Sequence, residues 1–464
     1  MYLLFFIITL SLGCSNPLGQ VSSEGSAFNP GMTSFFIDQD DSPNGFGGGS
    51  GVGVIWDTSN NFLRLGNSGG CNGSSTNCAS LDSSATYAGT FQSRIMDAGG
   101  INVWTNFNWV PTLPFNKELP DGGISETPSS YSSQTSSLMS GIVGLWHLDE
   151  TSGTTARDNS GNAVNGSYAG GYTLGQSGKL KNATLLNGSS GYVLTGNLKG
   201  LFTSTDLTLS IWFMASAAGV IVSELGQSTI NSSWHDSQIE ILNTGQVKIS
   251  VWKGAVYNFP LGIVSFGQWN HVVLRYTTSS TFLDGFLNGV KITGVVGARD
   301  YPNGSFASNY YYALGAKDTT DLGSGAYFKG TVDEFAIWSR PILDSEALEL
   351  YRRGANRLKY QIRSCAQSGC SDNPSWQGPD GTNQSYFSEL NNNIAPSDGG
   401  DLSSTDSVLS TLPNMLFSTF SSLGISSHRY FQYRAIFESD DSNNLCNYGT
   451  SGPCSAELKS VSVP

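Results

Sequence analysis

Basic residues are scarce in this sequence. Lysine and arginine together number 23 among 464 residues, charged residues of both signs make up 13%, and the formal net charge is −13. Binding of nucleic acid needs a clustered basic surface, and docking onto anionic lipid by charge needs the same. The composition therefore argues against both kinds of partner.

Several motifs that mark common catalytic sites are also missing. The sequence contains no HExxH, no P-loop and no dinucleotide fingerprint. His147 and His271, two of only four histidines, lie in strand-like segments among apolar residues, where we expect them to be packed. A glycosidase needs two carboxylates across a cleft, and Glu150, Glu240 and Glu334 are candidates only by default. We therefore predict that the protein is not an enzyme.

Long apolar runs are confined to the N-terminus, where Leu3 to Leu12 reads LLFFIITLSL. About ten apolar residues suit a signal peptide and are too few to span a bilayer. The run ends in Ser11-Leu12-Gly13-Cys14, which resembles a bacterial lipobox. The resemblance implies a signal peptide over residues 1–14 and lipidation of Cys14, with the lipid as the only membrane contact; an ordinary secretory signal is the alternative. Residues 15–53 are polar and rich in Gly and Ser, which predicts a flexible tether.

Cysteines are few but regularly placed. Besides Cys14, six cysteines form three close pairs, each around a short polar loop: Cys71 with Cys78, Cys365 with Cys370, and Cys446 with Cys454. Loops of this size can bring two Cα atoms within disulfide reach. We predict three local disulfides, and hence an oxidising compartment. Reduced thiols or a zinc site are the alternatives, although zinc ligands usually show CxxC-type spacing with a nearby histidine.

Residues 140–357 form the best-defined module. Strand-like runs such as LTLSIWFMA and WNHVVLRY recur between tight-turn signals, of which Asp284-Gly285 and Asn288-Gly289 are the strongest. One helix is predicted from about Ser345 to Arg353, with Asp344 as its N-cap. Many short strands and one closing helix predict an antiparallel two-sheet β-sandwich.

The module resembles a laminin-G-like, concanavalin-A-like jelly roll of bacterial surface lipoproteins. The motifs that carry the resemblance occur in the family's order: Trp146 to Glu150, Asp158 to Asn162, Leu209 to Phe213, Gly267 to Val272, Asp284-Gly285 with Asn288-Gly289, and Gly330 to Trp338. The family includes sugar-binding modules, adhesion modules and domains appended to glycosidases and proteases. The resemblance therefore implies the fold, while a fold does not fix a site.

The flanks, residues 54–122 and 358–464, show two-residue periodicity typical of further strands. The first flank is small and would leave strand edges exposed, so it should not be stable alone. We predict that the flanks combine into a second β-sandwich, with the jelly roll inserted between its two halves. Residues 123–139 would link the first half to the jelly roll. Two independent small domains are the alternative.

Calcium is the expected cofactor, in a structural role. Asp149, Asp158 and Asp333 are hard oxygen donors in or beside turns. Relatives with this fold often carry a calcium ion near such turns, so the resemblance implies one here and these three residues are the candidate ligands. For Asp158, a simple Asx turn is the alternative.

Aromatic residues near polar ones mark the candidate ligand contacts, because sugar sites pair a flat aromatic face with a few polar groups. Trp234, Asp236 and Trp252 are the predicted ligand-binding residues. Trp234 lies among Ser, His and Asp in an expected loop, whereas Trp252 has a core position as its alternative. The run Tyr310-Tyr311-Tyr312 is a further aromatic candidate.

Together these features predict a lipid-anchored protein of the bacterial cell envelope, at the outer membrane or cell surface. Its partner would be a glycan or a surface protein, bound through the laminin-G-like domain, and not nucleic acid. A structural envelope protein without a small ligand is one alternative. A non-catalytic module of a carbohydrate-active system is another.

Overall fold

The computed structural model describes fifteen stretches of the chain: residues 36–66, 71–72, 86–104, 106–123, 138–230, 235–299, 309–316, 327–378, 381–383, 386–389, 414–416, 427–441, 443, 445–446 and 454–463. Cys14, Cys78 and Trp234 lie outside the described residues. Within these stretches, no helix has both the length and the apolar character needed to cross a membrane.

Short strands dominate the structure. Before the jelly roll they are β1 (Phe36–Asp38), β2 (Ser50–Val52), β3 (Val54–Asp57), β4 (Phe62–Leu65), β5 (Cys71–Asn72), β6 (Tyr87–Gln92), β7 (Met96–Asp97) and β8 (Asn106–Pro111). The jelly roll contains β9 (Ile142–Trp146), β10 (Thr155–Ala156), β11 (Gly166–Ala169), β12 (Tyr172–Ser177), β13 (Asn182–Asn187), β14 (Tyr192–Leu194), β15 (Leu207–Ala215), β16 (Gly219–Leu225), β17 (His235–Ile241), β18 (Gln246–Trp252), β19 (Val256–Ile263), β20 (Trp269–Thr277), β21 (Phe282–Leu287), β22 (Val290–Val296), β23 (Tyr311–Leu314) and β24 (Lys329–Trp338). Helix α1 (Asp344–Ala355) follows, and the chain ends in β25 (Asn356–Cys365), β26 (Asn414–Leu416), β27 (Tyr430–Ser439) and β28 (Leu458–Val463).

The jelly roll consists of two antiparallel sheets of eight strands each. The front sheet has the order β12-β13-β24-β15-β20-β21-β22, with β9 also pairing with β24, and the back sheet has the order β10-β11-β14-β23-β16-β17-β18-β19. Alternate side chains of each strand face the space between the sheets, as the pleat requires. Ile211 and Phe213 on β15 and Ile239 and Ile241 on β17 are examples of this core. The predicted β-sandwich of jelly-roll type is confirmed.

A second sandwich is built from strands on both sides of the jelly roll. One of its sheets has the order β26-β8-β28-β4-β3 with β1 on β28; the other has the order β2-β6-β27-β25 with β5 on β6 and β7 on β27. Strand β8 thus pairs with β28, and β6 with β27, across the whole inserted module. We call this unit the split sandwich.

Aromatic rings fill the core of the split sandwich. Trp109 on β8 lies 4.7 Å from Tyr360 on β25, and Phe107 lies 5.4 Å from Tyr433 on β27, measured between ring centroids. These contacts join residues from both flanks, so neither flank holds a complete core alone.

The ordered part of the split sandwich begins earlier than the sequence predicts. The tether was expected to extend to residue 53, but β1 pairs with β28 and β2 pairs with β6 inside that range. Both strands have only three residues and depend on partners that are distant in sequence. The predicted tether is therefore too long at its C-terminal end.

Helix α1 starts and ends differently from its prediction. Asp344 is the first helical residue and not the N-cap, and its carboxylate accepts a hydrogen bond from Arg275 Nη1 at 2.7 Å. Gly354, just beyond the predicted helix end at Arg353, is still helical, and the chain then enters β25 without a linker. A Cβ atom on Gly354 would lie 2.6 Å from the Trp212 ring, so close packing and not helix termination requires glycine here.

Two of the three predicted disulfides are present among the described residues. Cys365 is bonded to Cys370 with a Cα–Cα distance of 5.1 Å, and Cys446 to Cys454 with a Cα–Cα distance of 4.5 Å. Both close short loops of the split sandwich, as their spacing predicted. The pairing of Cys71 with Cys78 stays a prediction.

Candidate functional site

A groove of about 690 Å³ lies where the jelly roll meets the split sandwich. Its size falls in the range of small-molecule sites, roughly 300–1,000 Å³. The jelly roll and α1 contribute Lys179, Trp212, Met214, Leu261, Gly262, Ile263, Val264, Ser265, Gly267, Gln268, Trp269, Asn270, Leu287, Asn288, Val290, Ile292 and Tyr351; the split sandwich contributes Thr86, Asp440 and Asn443. We call it the junction groove.

Aromatic rings form one part of the junction groove. Trp212 points outward from β15, because its neighbours Ile211 and Phe213 point into the core. Its ring stacks on Tyr351 of α1 with a centroid distance of 5.7 Å. Trp269, at the start of β20, packs against this pair and is half-buried, so part of its ring is left accessible.

Side-chain amides form a second part, and their orientation is fixed. Asn288 Nδ2 donates to Asn270 Oδ1 at 2.9 Å, while Asn288 Oδ1 accepts from the backbone N–H of His271 at 2.8 Å. Asn270 Nδ2 donates to the carbonyl of Gln268 at 2.9 Å. Asn288 has a φ of 49°, and with Gly289 it forms the tight turn that the sequence predicts. Preorganised amides of this kind suit the recognition of hydroxyl groups.

The charged groups of the junction groove are paired with each other. Lys179 Nζ hydrogen-bonds Asp440 and lies 4.8 Å from the centroid of the Trp212 ring. Arg357 Nη1 donates to the same carboxylate at 2.7 Å. Burial opposes the ionisation of Asp440, but Arg357 and Lys179 outweigh it and lower the pKa of Asp440. The pairing keeps both charged side chains of the lining in fixed positions.

The end of β19 and the loop that leads from it to β20 give the groove an apolar rim. Ile263 is 72% exposed and Phe266, which adjoins the lining residues, is 38% exposed. Gln268 is also exposed on this loop. The rim therefore offers apolar and polar contacts side by side.

A buried network of ionisable groups lies on the outer face of the front sheet. His147 Nδ1 is 2.8 Å from Glu334 Oε1, and His147 Nε2 is 3.1 Å from Asp121 Oδ1. Lys181 Nζ is 2.8 Å from Glu118 Oε2. Glu118 and Asp121 belong to the segment that leads from β8 into the jelly roll. We call these five residues the buried ionic network.

Ligand atoms of Glu118, His147 and Glu334 lie within 4.8 Å of one another, close enough to share a metal ion. However, both ring nitrogens of His147 already face carboxylates. Burial favours neutral His147, but Glu334 and Glu118 outweigh it and raise the pKa of His147 well above its usual value. A protonated imidazole has no lone pair for a metal, so this arrangement fits an ion network and does not fit a metal site.

The structure places Asp158 in an Asx turn, the alternative left open by the sequence. Asp158 Oδ1 accepts the backbone N–H groups of Leu145 and Ser160, both at 3.0 Å, and Oδ2 accepts that of Val164 at 3.0 Å. These bonds fix the loop after β9 onto the strand.

Asp149 and Asp333 have partners of their own. Asp149 Oδ2 lies 3.2 Å from Lys181 Nζ, and Asp333 Oδ2 accepts the backbone N–H groups of Lys179 and Leu180 at 2.7 and 3.0 Å. Among the described residues, the carboxylate oxygens of Asp149, Asp158 and Asp333 do not cluster closely enough to share one metal ion. Calcium binding by these residues stays a prediction.

The predicted ligand residues do not come together at the junction groove. Asp236 is buried on β17 opposite Glu224, so its side chain has little access to a surface ligand. Trp252 is half-buried at the end of β18 and is not part of the groove lining. Tyr310 and Tyr312 are fully buried, which makes them core residues.

Trp269 is the residue that sequence reasoning missed. It lies in the motif Gly267 to Val272, which was assigned to the fold and not to a site. Its neighbours on the chain, Gln268 and Asn270, are polar, and this was the one local signal that could have marked it.

A serine and a histidine also lie together, but without access. Ser210 Oγ is 2.8 Å from His271 Nε2, and both residues are buried. Burial, together with Lys179, lowers the pKa of His271 to about 3, so the ring is neutral. The adjoining cavity of about 20 Å³ has room for a water molecule and not for a substrate.

Comparisons with known proteins agree with the fold. Residues 187–347 match the family model of the concanavalin A-like lectin/glucanases superfamily. The jelly roll is thus a concanavalin A-like domain, as its motifs predicted. No curated protein matches the chain.

Among solved structures, a domain of an extracellular arabinanase from Geobacillus stearothermophilus, in complex with arabinotriose, is similar. It has 19% identity and a TM-score of 0.32, over 45% of this chain and 98% of that chain. The binding domain of Paraclostridial Mosquitocidal Protein 1 has 15% identity and a TM-score of 0.36, over 50% of this chain and 62% of that chain. A Trypanosoma rangeli sialidase has 15% identity and a TM-score of 0.36, over 49% of this chain and 35% of that chain. With identities and TM-scores this low, these structures carry no conclusion about the fold or function of this chain.

Proposed function

We propose that the protein is a non-catalytic glycan-binding protein that holds a saccharide in the junction groove. The observation that carries the proposal is a partly accessible tryptophan, Trp269, beside the fixed amides of Asn270 and Asn288 in a groove of about 690 Å³. A flat ring can stack on the C–H face of a sugar, and oriented amides can bind its hydroxyl groups. The match of the jelly roll to a lectin/glucanase superfamily supports the same assignment.

A glycan array tests this proposal through two matched tryptophan variants. Trp269→Ala removes the half-buried ring of the groove, whereas Trp252→Ala removes a half-buried ring outside it. We expect wild-type protein and Trp252→Ala to bind the same glycans. Trp269→Ala should bind at least about tenfold more weakly, because central aromatic contacts dominate binding energy.

Two outcomes would contradict the proposal. Loss of binding in Trp252→Ala alone would place the site at the back sheet. A flat array for the wild-type protein, with and without calcium, would favour the alternative of a structural envelope protein without a small ligand.

We further propose that the protein acts at the bacterial cell surface, held by a lipid on Cys14. The support is the apolar run followed by Ser11-Leu12-Gly13-Cys14 and the two disulfides, which fit an oxidising compartment. Mass spectrometry of the mature protein should find Cys14 as the modified N-terminal residue. An N-terminus elsewhere, or an unmodified Cys14, would contradict the anchor while leaving glycan binding untouched.

A further inference from the structure

On the outer face of one of its sheets, the split sandwich carries a tryptophan that contacts two arginines. Arg363 on β25 lies with its Cζ atom 4.4 Å from the centroid of the Trp376 ring, and the Cζ atom of Arg434 on β27 lies 5.2 Å from it. The strand register explains the arrangement. Arg363 pairs with Gln432, and Arg434 pairs with Gln361, so the two arginines are diagonal neighbours on one face.

Both guanidinium groups are held by neutral amides. Arg363 Nε and Nη2 donate to Gln432 Oε1 at 3.0 and 2.7 Å, and Nη1 donates to Asn373 Oδ1 at 2.8 Å. Arg434 Nε donates to Gln361 Oε1 at 2.8 Å. These bonds orient the two groups without neutralising them.

Most of the other arginines among the described residues have carboxylate partners. Arg357, on the same strand as Arg363, lies 3.0 Å from Glu438, and Arg275 lies 2.7 Å from Asp284. Among the described residues, neither Arg363 nor Arg434 forms such an ion pair.

The electrostatic environment of the two arginines is correspondingly unfavourable. Burial, followed by repulsion from Arg363, lowers the pKa of Arg434 to about 10. Burial also lowers the pKa of Arg363, and the exposed Asp372 only partly offsets this. The Asp372 carboxylate already accepts the backbone N–H of Ala366 at 2.9 Å. Both arginines stay positively charged at neutral pH, so the face holds two like charges in a protein of net charge −13.

The Arg434 side of the arginine pair reaches solvent. Arg434, Trp376 and Gln92, which lies directly opposite Arg434 on β6, are half-buried, whereas Arg363 is buried. No hydrogen bond from Arg434 Nη1 or from the Gln92 side chain occurs within the described part of the chain. Guanidinium and amide N–H groups therefore reach the surface next to an aromatic ring.

We propose that Arg363, Arg434, Trp376 and Gln92 form a second binding site, for the carboxylate or sulfate group of an acidic saccharide. A guanidinium presents parallel N–H donors that match the oxygens of such a group. The Trp376 ring supplies the stacking surface that a sugar needs and a simple anion does not. The site lies on the split sandwich, so it is independent of the junction groove.

The test compares two arginines of similar position and different partners. Arg434→Gln removes one charge from the proposed site, whereas Arg429→Gln removes one that is paired with Asp97 just before β27. The probes are a hyaluronan hexasaccharide for carboxylate, a heparin hexasaccharide for sulfate, inorganic sulfate, and polyglutamate as an acidic peptide. Binding to the full-length protein is measured by calorimetry, and folding of each variant by its melting curve.

We expect at least one of the two hexasaccharides to bind the wild-type protein, more weakly as salt is added. Arg434→Gln should lose at least about tenfold in affinity, since charge-assisted hydrogen bonds contribute strongly. Arg429→Gln and the groove variant Trp269→Ala should change it less than about twofold. Arg434→Lys keeps the charge but loses the parallel N–H donors of the guanidinium. It tests the site if Arg434→Gln does not fold, and its affinity should lie between those of the wild-type protein and Arg434→Gln.

Three results would overturn the proposal. The first is no binding of either hexasaccharide to the wild-type protein. The second is equal affinity in the wild-type protein and in Arg434→Gln or Arg434→Lys. The third is polyglutamate or inorganic sulfate binding as tightly as the hexasaccharides, because then the site would recognise an acidic peptide or a free anion and not a saccharide.

Discussion

At the scale of single residues, the jelly roll buries a carboxylic acid, Asp236, where its ionised form is unfavourable. Asp236 faces Glu224 across the β16–β17 pair, with Arg299 close by. Burial, and next the charge of Glu224, raise the pKa of Asp236 to about 8. Arg299 already pairs with Glu224, so its charge is shared between two acids. Asp236 therefore holds its proton at neutral pH.

This acid should make the jelly roll less stable as pH rises. Its pKa is higher in the folded state than in the unfolded state, where it is near 3.8, so folded protein binds the extra proton between about pH 4 and 8. The stability that this extra proton gives the folded state is complete below about pH 4. It falls by up to ~1.4 kcal/mol per pH unit between the two pKa values and is lost once the pH has risen through about 8. Asp236→Asn, which cannot ionise, should show a flatter pH dependence.

Urea unfolding at pH 5 and pH 7.5 measures this difference. Wild-type protein should lose more stability between the two pH values than Asp236→Asn does. A parallel change in both proteins would show that Asp236 is ionised in the folded state.

The same residue shows why the candidate site was hard to predict. Polar neighbours of Trp234 and Asp236 suggested a surface loop, but Asp236 is buried in β17, two residues before a bulge at Gln238 in the β16–β17 pairing. Register shifts of this kind are not visible in local sequence. Trp269, by contrast, sits in a motif that the fold explains, and only the approach of α1 and the split sandwich makes it part of a groove.

At the scale of elements, α1 is packed so closely on β15 that one position of its last turn, Gly354, has no room for a side chain. Gly354→Ala would bring a Cβ atom to 2.6 Å from the Trp212 ring. We expect a loss of about 1–3 kcal/mol in the free energy of unfolding, typical of overpacking. Binding at the junction groove should also weaken, since Trp212 lines it.

Gly66→Ala is the matched control, because its added Cβ atom would have no neighbour nearer than 3.6 Å. Thermal or urea unfolding of both variants measures the effect. Equal stability of the two variants would show that Trp212 can move aside at little cost, and that the α1 contact is looser than the distance implies.

Elements with long, local patterns could be predicted, and elements with distant partners could not. Strands such as β15 and β20, with nine residues each, show their period and turns in the sequence. Strands β1 and β2 have three residues each and gain their hydrogen bonds from β28 and β6. Residues 15–53 as a whole are rich in Gly and Ser, and the prediction of a tether was wrong at β1 and β2 because tertiary pairing overrode local composition.

At the scale of the whole molecule, the segment leading into the jelly roll is part of its packing. Arg353 Nε on α1 donates to the carbonyl of Lys117 at 3.1 Å, and Leu119 packs against the front sheet. Glu118 and Asp121 complete the buried ionic network. The sequence predicts that the jelly roll begins at residue 140, yet charges that its own strands bury are paired by residues before that point.

The last prediction compares two fragments that differ in this segment. Residues 112–355 should melt cooperatively and at a higher temperature than residues 140–355, because the shorter fragment leaves His147 and Lys181 buried without Asp121 and Glu118. Removing one partner of a buried ion pair costs about 3–5 kcal/mol. Replacing Glu118 by Gln and Asp121 by Asn in the longer fragment should remove most of its advantage. Calorimetric melting of the three proteins measures these differences. Equal melting temperatures for the two fragments would show that the buried ionic network contributes no stability, and that the jelly roll needs no residues before its own strands.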